Sequence, residues 1–306
     1  MLDPVSKLLG HVEEDAQKCF VLIQHGREEE AKEAGLLALR CLVAVGKGLQ
    51  APDDVPVDLS AGAEGKTRTS SSLWESGEGV AIQGKVVELM RNLCNALRRD
   101  GEIVDTSCCV FKTGFAETSP GLFVFPPEVV TEFLLEYRAR TETILATAGT
   151  LISSHSIGRS ADISTQVRQL LDFVVVLIAD IGYAPQNEPE VAQSVTEFLS
   201  RLLRCYVGVL VSYQPHERLE QLFMFALDSL AVKETLVKKA AASFWTGFVS
   251  LPTPESVQVQ AAVDGIIKGC GPRLVEKLCW VTPPPSPRRT RPLTMIAVYR
   301  WRMSTK

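Results

Sequence analysis

Histidine is scarce in this chain of 306 residues, and the four that occur do not assemble. His11, His25, His155 and His216 lie far apart, none sits in an H-E-x-x-H arrangement, and none adjoins a cysteine. No histidine-based metal centre and no catalytic base with an orienting partner is therefore expected. His155, within Ser-Ser-His-Ser, reads as a helix-end residue. Cysteine pairs at C-x-x-C spacing are also missing. The eight cysteines, Cys19, Cys41, Cys94, Cys108, Cys109, Cys205, Cys270 and Cys279, fall mostly inside apolar helical patterns. That placement speaks for reduced, buried thiols of a cytosolic or nuclear protein, and against a disulfide framework or a zinc site.

Long apolar runs are lacking as well. The most apolar stretch, Phe173 to Ala179, is bracketed by Asp172 and Asp180 and is too short to span a bilayer. Met1 to Gly10 has no basic-then-apolar signal pattern, so secretion is not expected. No alternating strand pattern recurs, and no Asn-Gly or Asp-Gly turn separates two β-branched runs.

Two stretches approach a phosphate-binding loop, whose glycines and lysine cradle phosphates at a strand-to-helix turn. Gly79-Val-Ala-Ile-Gln-Gly84-Lys85 has the spacing, but Val86 follows where a magnesium-binding hydroxyl is needed, and the stretch lies in a helical pattern. Ser60-Ala-Gly-Ala-Glu-Gly65-Lys66-Thr67 ends correctly but starts with serine and follows no apolar strand. Carboxylate groups such as Glu13 with Glu14, or Glu28, Glu29 and Glu30, read as solvated helix faces. Trp245 and Trp280 could line a ligand cage, yet their spacing beside Phe244, Phe248 and Leu278 reads as packing between helices. No catalytic, cofactor-binding or metal-binding residue and no enzymatic activity is expected; partner-binding positions are left unassigned.

What is present in quantity is helix. The composition, 46% hydrophobic and 22% charged, is that of a folded soluble protein. Apolar residues recur at helical intervals over 5–25, 27–50, 78–99, 101–116, 128–138, 142–154, 162–181, 190–213, 216–230, 235–251 and 255–281, giving about eleven helices with short turns. In the first, Val5, Leu8, Leu9, Val12, Ala16, Cys19, Phe20 and Ile23 face inward; in the second, Ala31, Ala34, Leu37, Ala38, Cys41, Leu42 and Val45; in the third, Val80, Val87, Met90, Leu93, Cys94 and Leu97. The first two are joined by a turn of about two residues and so run antiparallel, which makes this pair a plausible repeat unit. Pro126-Pro127 suits the first turn of a helix. Residues 51–77, rich in proline, glycine and serine, form an insertion that is either a partner-binding excursion or a disordered one.

Thr235 to Leu251 is the most telling helix. Leu236, Ala240 and Phe244, with Val237, Ala241 and Phe248, put small residues early and aromatics late on one face. Such a face needs neighbours on both sides, as in a stacked repeat. Lys238 and Lys239 can pair with an acidic partner or a neighbouring helix. The expected architecture is all-α, an α-solenoid of antiparallel helix pairs of the HEAT/ARM kind over residues 1–282.

The net charge of −4 is unevenly spread. Arg288, Arg289, Arg291, Arg300, Arg302 and Lys306 place six positive charges and no acid in the Pro/Arg-rich tail, residues 283–306, leaving 26 basic against 36 acidic side chains before it, a balance of −10. The tail reads either as a localisation or docking signal or as a chain end without a module. An acidic helical body suits basic protein partners better than direct binding to nucleic-acid phosphates; the plainer reading is a solvated surface.

Phe123-Val-Phe-Pro-Pro-Glu-Val-Val, Thr143-Ile-Leu-Ala-Thr-Ala-Gly-Thr-Leu-Ile-Ser-Ser-His and Ala240-Ala-Ala-Ser-Phe-Trp-Thr-Gly-Phe-Val stand in an order and spacing that resemble a known family. Together they resemble the middle to C-terminal part of importin-β superfamily nuclear transport receptors (karyopherins), nearest to the importin-13 and transportin-3 branch, over residues 5–282. The resemblance implies a superhelix of HEAT repeats that binds protein cargo, Ran in its GTP form and phenylalanine-glycine nucleoporins, and that shuttles between nucleus and cytoplasm. Such receptors are much longer than 306 residues; their N-terminal Ran-binding repeats and far C-terminal end lie outside the resemblance. The alternative is a HEAT-repeat scaffold that holds a static protein complex.

Overall fold

The computed structural model describes residues 2–50, 77–97, 100–115, 121–156, 162–252 and 256–281. Among these there are twelve α-helices, one 3-10 turn and no strand. The helices are α1 (Leu2–Gln24), α2 (Glu28–Gly48), α3 (Glu78–Ala96), α4 (Gly101–Phe115), α5 (Pro127–Glu136), α6 (Thr141–Ser156), α7 (Ser164–Asp180) and α8 (Pro189–Cys205). They continue with α9 (Val207–Val211), α10 (His216–Asp228), α11 (Thr235–Val249) and α12 (Val257–Val281), with the 3-10 turn Ser229–Ala231 leading from α10 toward α11. Of the 51–77 insertion only Gly77 is described; the tail 283–306 lies outside the described residues.

Local chemistry sets the turns. Gly26, at φ 72°, takes the left-handed conformation that ends α1, and the Arg27 N–H then reaches back to the Leu22 carbonyl at 3.0 Å. Gly182 ends α7 the same way, with the Tyr183 N–H on the Ile178 carbonyl at 2.9 Å. Pro127 and Pro189 open α5 and α8, where the missing N–H has no helical partner to lose.

Apart from the short α9, successive helices fall alternately into two rows. One row is α2, α4, α6, α8 and α11, each packed against the next; the other holds α1, α3, α5, α7, α10 and α12. Within a row the helices run parallel. Between α2 and α4, a Cβ on Gly35 would touch Ile103 near both N-termini, whereas one on Gly46 would touch Thr113 near both C-termini. Between α10 and α12, Met224 meets Arg273 and Asp228 meets Lys277, again in rising order. The core lies between the rows and is continuous from Val5 to Leu274.

The two rows are built from different contacts. Neighbours in the α2 row approach over small residues: Gly46 against Thr113, Gly149 against Arg201, Gly247 against Leu203. Neighbours in the α1 row meet through long side chains. Tyr137, which caps α5, donates its hydroxyl to the Arg91 carbonyl at 3.2 Å and to Asn95 Oδ1 at 3.1 Å, and Gln166 on α7 donates to Glu128 on α5 at 3.1 Å.

Two expectations need correction. Residues 190–213 do not form one helix: at Tyr206 the backbone turns to φ −140°, ψ 46°, and α9 begins afterwards. The apolar pattern continues through the break because α9 is also buried, but against α7 and α12 in the other row. Leu8, Leu37, Val80 and Leu236, placed on inward faces by periodicity, are exposed, Leu236 to 61%. Each lies at the margin of its apolar stripe, where the period alone does not decide burial.

Candidate interaction surface

The side chains singled out for chemistry are scattered by the fold. Gly79 to Val86 lies inside α3, and from Ala81 onward its backbone N–H groups are engaged in helical hydrogen bonds rather than gathered in a phosphate cradle. Gln83 within it is buried and donates to the Gly121 carbonyl at 2.7 Å and the Val124 carbonyl at 3.3 Å, tying down the segment before α5. Ser60 to Thr67 lies outside the described residues.

His11, His25 and His216 are exposed on α1, the α1–α2 turn and the start of α10. His155 is buried in the last turn of α6, with Nδ1 3.0 Å from the Leu151 carbonyl. Among the described residues no cluster of histidine, cysteine and carboxylate groups could hold a metal ion, and no described helix is long and apolar enough to cross a membrane. Glu13 and Glu14 are exposed, as are Glu28, Glu29 and Glu30 in the first turn of α2, where Glu30 pairs with Arg27.

The cysteines divide by depth. Cys19, Cys94, Cys108 and Cys270 are buried, whereas Cys109 and Cys279 are exposed. Burial pushes the Cys94 thiol up to about 11 and the Cys108 thiol up to about 12, so both stay protonated and unreactive at neutral pH.

Trp245 packs with its neighbours. Its ring centroid lies 5.5 Å from Phe244, 5.9 Å from Phe223 of α10 and 5.9 Å from Phe248, which closes the space between α10 and α11. Its indole N–H is buried with no hydrogen-bond partner among the described residues, which disfavours a cage that would need that edge open. The Trp280 side chain lies outside the described residues, and Leu278, expected beside it in packing, is exposed.

What the fold does assemble is a surface. Because the α2 row is parallel and closely spaced, the solvent-facing residues of its five helices form one strip across the stack. Leu37, Ala44, Cys109, Ala146, Ala242, Ser243 and Thr246 are exposed along its middle. Glu33, Glu102, Glu142 and Glu190 are exposed toward the N-terminal ends, and Lys47 and Arg204 toward the C-terminal ends. In α2, α4 and α8 acids in the first turn and a base in the last complement the helix dipole, whereas α11 has neither.

The strip is cross-braced. Lys32 on α2 meets Asp100 at 2.6 Å and Glu102 at 3.3 Å, and Arg40 meets Glu102 at 3.0 Å. Arg140, just before α6, donates to Asp105 of α4 at 2.6 Å, and Thr143 donates to the same carboxylate at 2.7 Å. Burial raises the Asp105 carboxyl, but the Arg140 and Thr143 hydrogen bonds outweigh it and hold it below the usual range. No motif marks these residues in the sequence; Asp105 and Arg140 meet only once α4 and α6 lie side by side. On the other row, a shallow cleft of ≈ 150 Å³ opens between α1 and α3, lined by Leu9, Ile82, Val86 and Leu89 with Glu13 and Lys85.

No family model matches the chain, and no curated protein matches it.

Proposed function

We propose that this chain is a non-enzymatic binding protein, an α-solenoid of HEAT/ARM-type helix pairs that carries protein cargo between cytoplasm and nucleus as an importin-β-like transport receptor. The observation that carries this reading is the parallel α2 row, whose exposed strip runs across five helices without interruption by the other row. Close approach at Gly46, Gly149 and Gly247 shortens the α2 row relative to the row joined through Tyr137 and Gln166, and a stack shortened on that side would curve with this strip inward. A concave surface of that kind takes a partner over many weak contacts rather than one deep pocket.

The acidic balance of −10 before the tail favours basic cargo. The resemblance of residues 5–282 adds Ran in its GTP form and phenylalanine-glycine nucleoporins as partners, and shuttling through the nuclear pore. The bracing of the strip by Lys32, Arg40 and Arg140 favours a stiffer alternative, a HEAT-repeat scaffold that holds its partners statically.

Immobilised chain incubated with Ran loaded with GTP or GDP, and with a lysine-rich histone as cargo, separates the two. Selective recovery of the GTP form is the transport outcome; histone recovery with no nucleotide preference for Ran is the scaffold outcome. Histone binding should weaken as salt rises from about 0.05 to about 0.3 M, because exposed charges are screened within about a Debye length. Retention that ignores salt would remove the electrostatic part of the reading.

A further inference from the structure

On a chain with an excess of acid, the arginines of the α2 row ought to find carboxylates, and two of them do: Arg40 pairs with Glu102 and Arg140 with Asp105. Arg201 and Arg204, one turn apart on α8, find none among the described residues. Arg201 lays its side chain across α6, where Nη1 donates to the Ala146 carbonyl at 3.3 Å and to Thr150 Oγ1 at 3.2 Å. The crossing depends on Gly149, since a Cβ there would lie 2.8 Å from Arg201 Cδ. Arg204 donates from Nε to the Ser200 carbonyl at 3.2 Å. Glu197, the carboxylate one turn before Arg201, receives the Gln193 amide at 2.9 Å and forms no ion pair with either arginine.

Each guanidinium is thus held through one nitrogen to neutral oxygens, two for Arg201 and one for Arg204, and its remaining N–H groups have no protein partner among the described residues. A tethered guanidinium has already lost much of its side-chain freedom, so a bidentate contact to a carboxylate forms at smaller entropic cost than with a free side chain. On the reading of this strip as the binding face, we propose that Arg201 and Arg204 are a preorganised seat for the carboxylate side chains of an acidic segment of a partner protein. A body suited to basic partners thereby holds one position of opposite sign, which sets the register of a partner carrying both charges.

The test uses the full chain and fluorescein-labelled ten-residue peptides, one rich in glutamate, one with phosphoserines in their place and one rich in lysine, followed by fluorescence anisotropy. The glutamate peptide should bind, and Arg201→Gln with Arg204→Gln should weaken it about tenfold or more. Gly149→Ala, which leaves every charge in place but blocks the crossing, should weaken it about threefold, with circular dichroism unchanged. Equal affinity of the double variant and the parent overturns the proposal, as does exclusive binding of the phosphoserine peptide. Loss of histone binding with glutamate-peptide binding intact would sink the cargo reading and leave this seat standing; the reverse pattern would sink the seat alone.

Discussion

Asp105 shows how much a single residue of this surface depends on its neighbours. Its carboxyl is buried enough to be raised, yet Arg140 and Thr143 lower it on balance, so the folded state prefers the ionised form. A depressed carboxyl contributes stability that is complete above the unfolded value of about 3.9 and is lost as pH falls through the lower folded value. Asp105→Asn should therefore lower stability at neutral pH and flatten its dependence on pH in the acid range, as read from urea denaturation at a series of pH values. An acid limb identical to that of the parent would show that the Arg140 contact adds nothing. Residues that act on their own backbone, such as Pro127 at a helix start, were legible in the sequence because φ restriction is local. Asp105 and Arg140 are 35 positions apart, and nothing in one sequence pairs them.

Helices were legible wherever apolar periodicity ran unbroken, but the period locates the centre of a buried face better than its edges. In α11, Val237, Ala241, Phe244 and Phe248 are buried as their spacing implies, whereas Leu236 at the margin is exposed. Phe244→Ala should cost about 3–5 kcal/mol. Leu236→Ala should stay within about 0.5 kcal/mol. Paired urea titrations decide this; a near-neutral Phe244→Ala would mean that the aromatic cluster with Phe223, Trp245 and Phe248 repacks without it. The break at Tyr206 escaped the sequence because α8 and α9 are both apolar, and only the transfer from one row to the other separates them.

At the scale of the whole molecule, alternation of helices between two rows follows from short turns, but the choice of which row packs more closely does not. It rests on glycines at particular contacts, among them Gly46 and Gly149, whose significance appears only beside Thr113 and Arg201. Every substantial helix contact joins near neighbours, so opening one pair leaves distant pairs intact. Hydrogen exchange followed by mass spectrometry should find amides of α4, α6, α7 and α8 most protected, with α1 and α12 exchanging first. Simultaneous exchange across all helices would mean a single cooperative unit instead.

The unequal rows also have a mechanical consequence. Interfaces that touch only their neighbours act as springs in series, so small tilts add along the molecule while each contact shifts little. Where glycine brings backbones together the spring is stiff; where Tyr137, Gln166 or Lys277 reaches across, longer side chains let it yield. Bending should therefore lengthen or shorten the α1 row about a nearly inextensible α2 row, and the exposed strip of the α2 row would keep its length while changing its curvature.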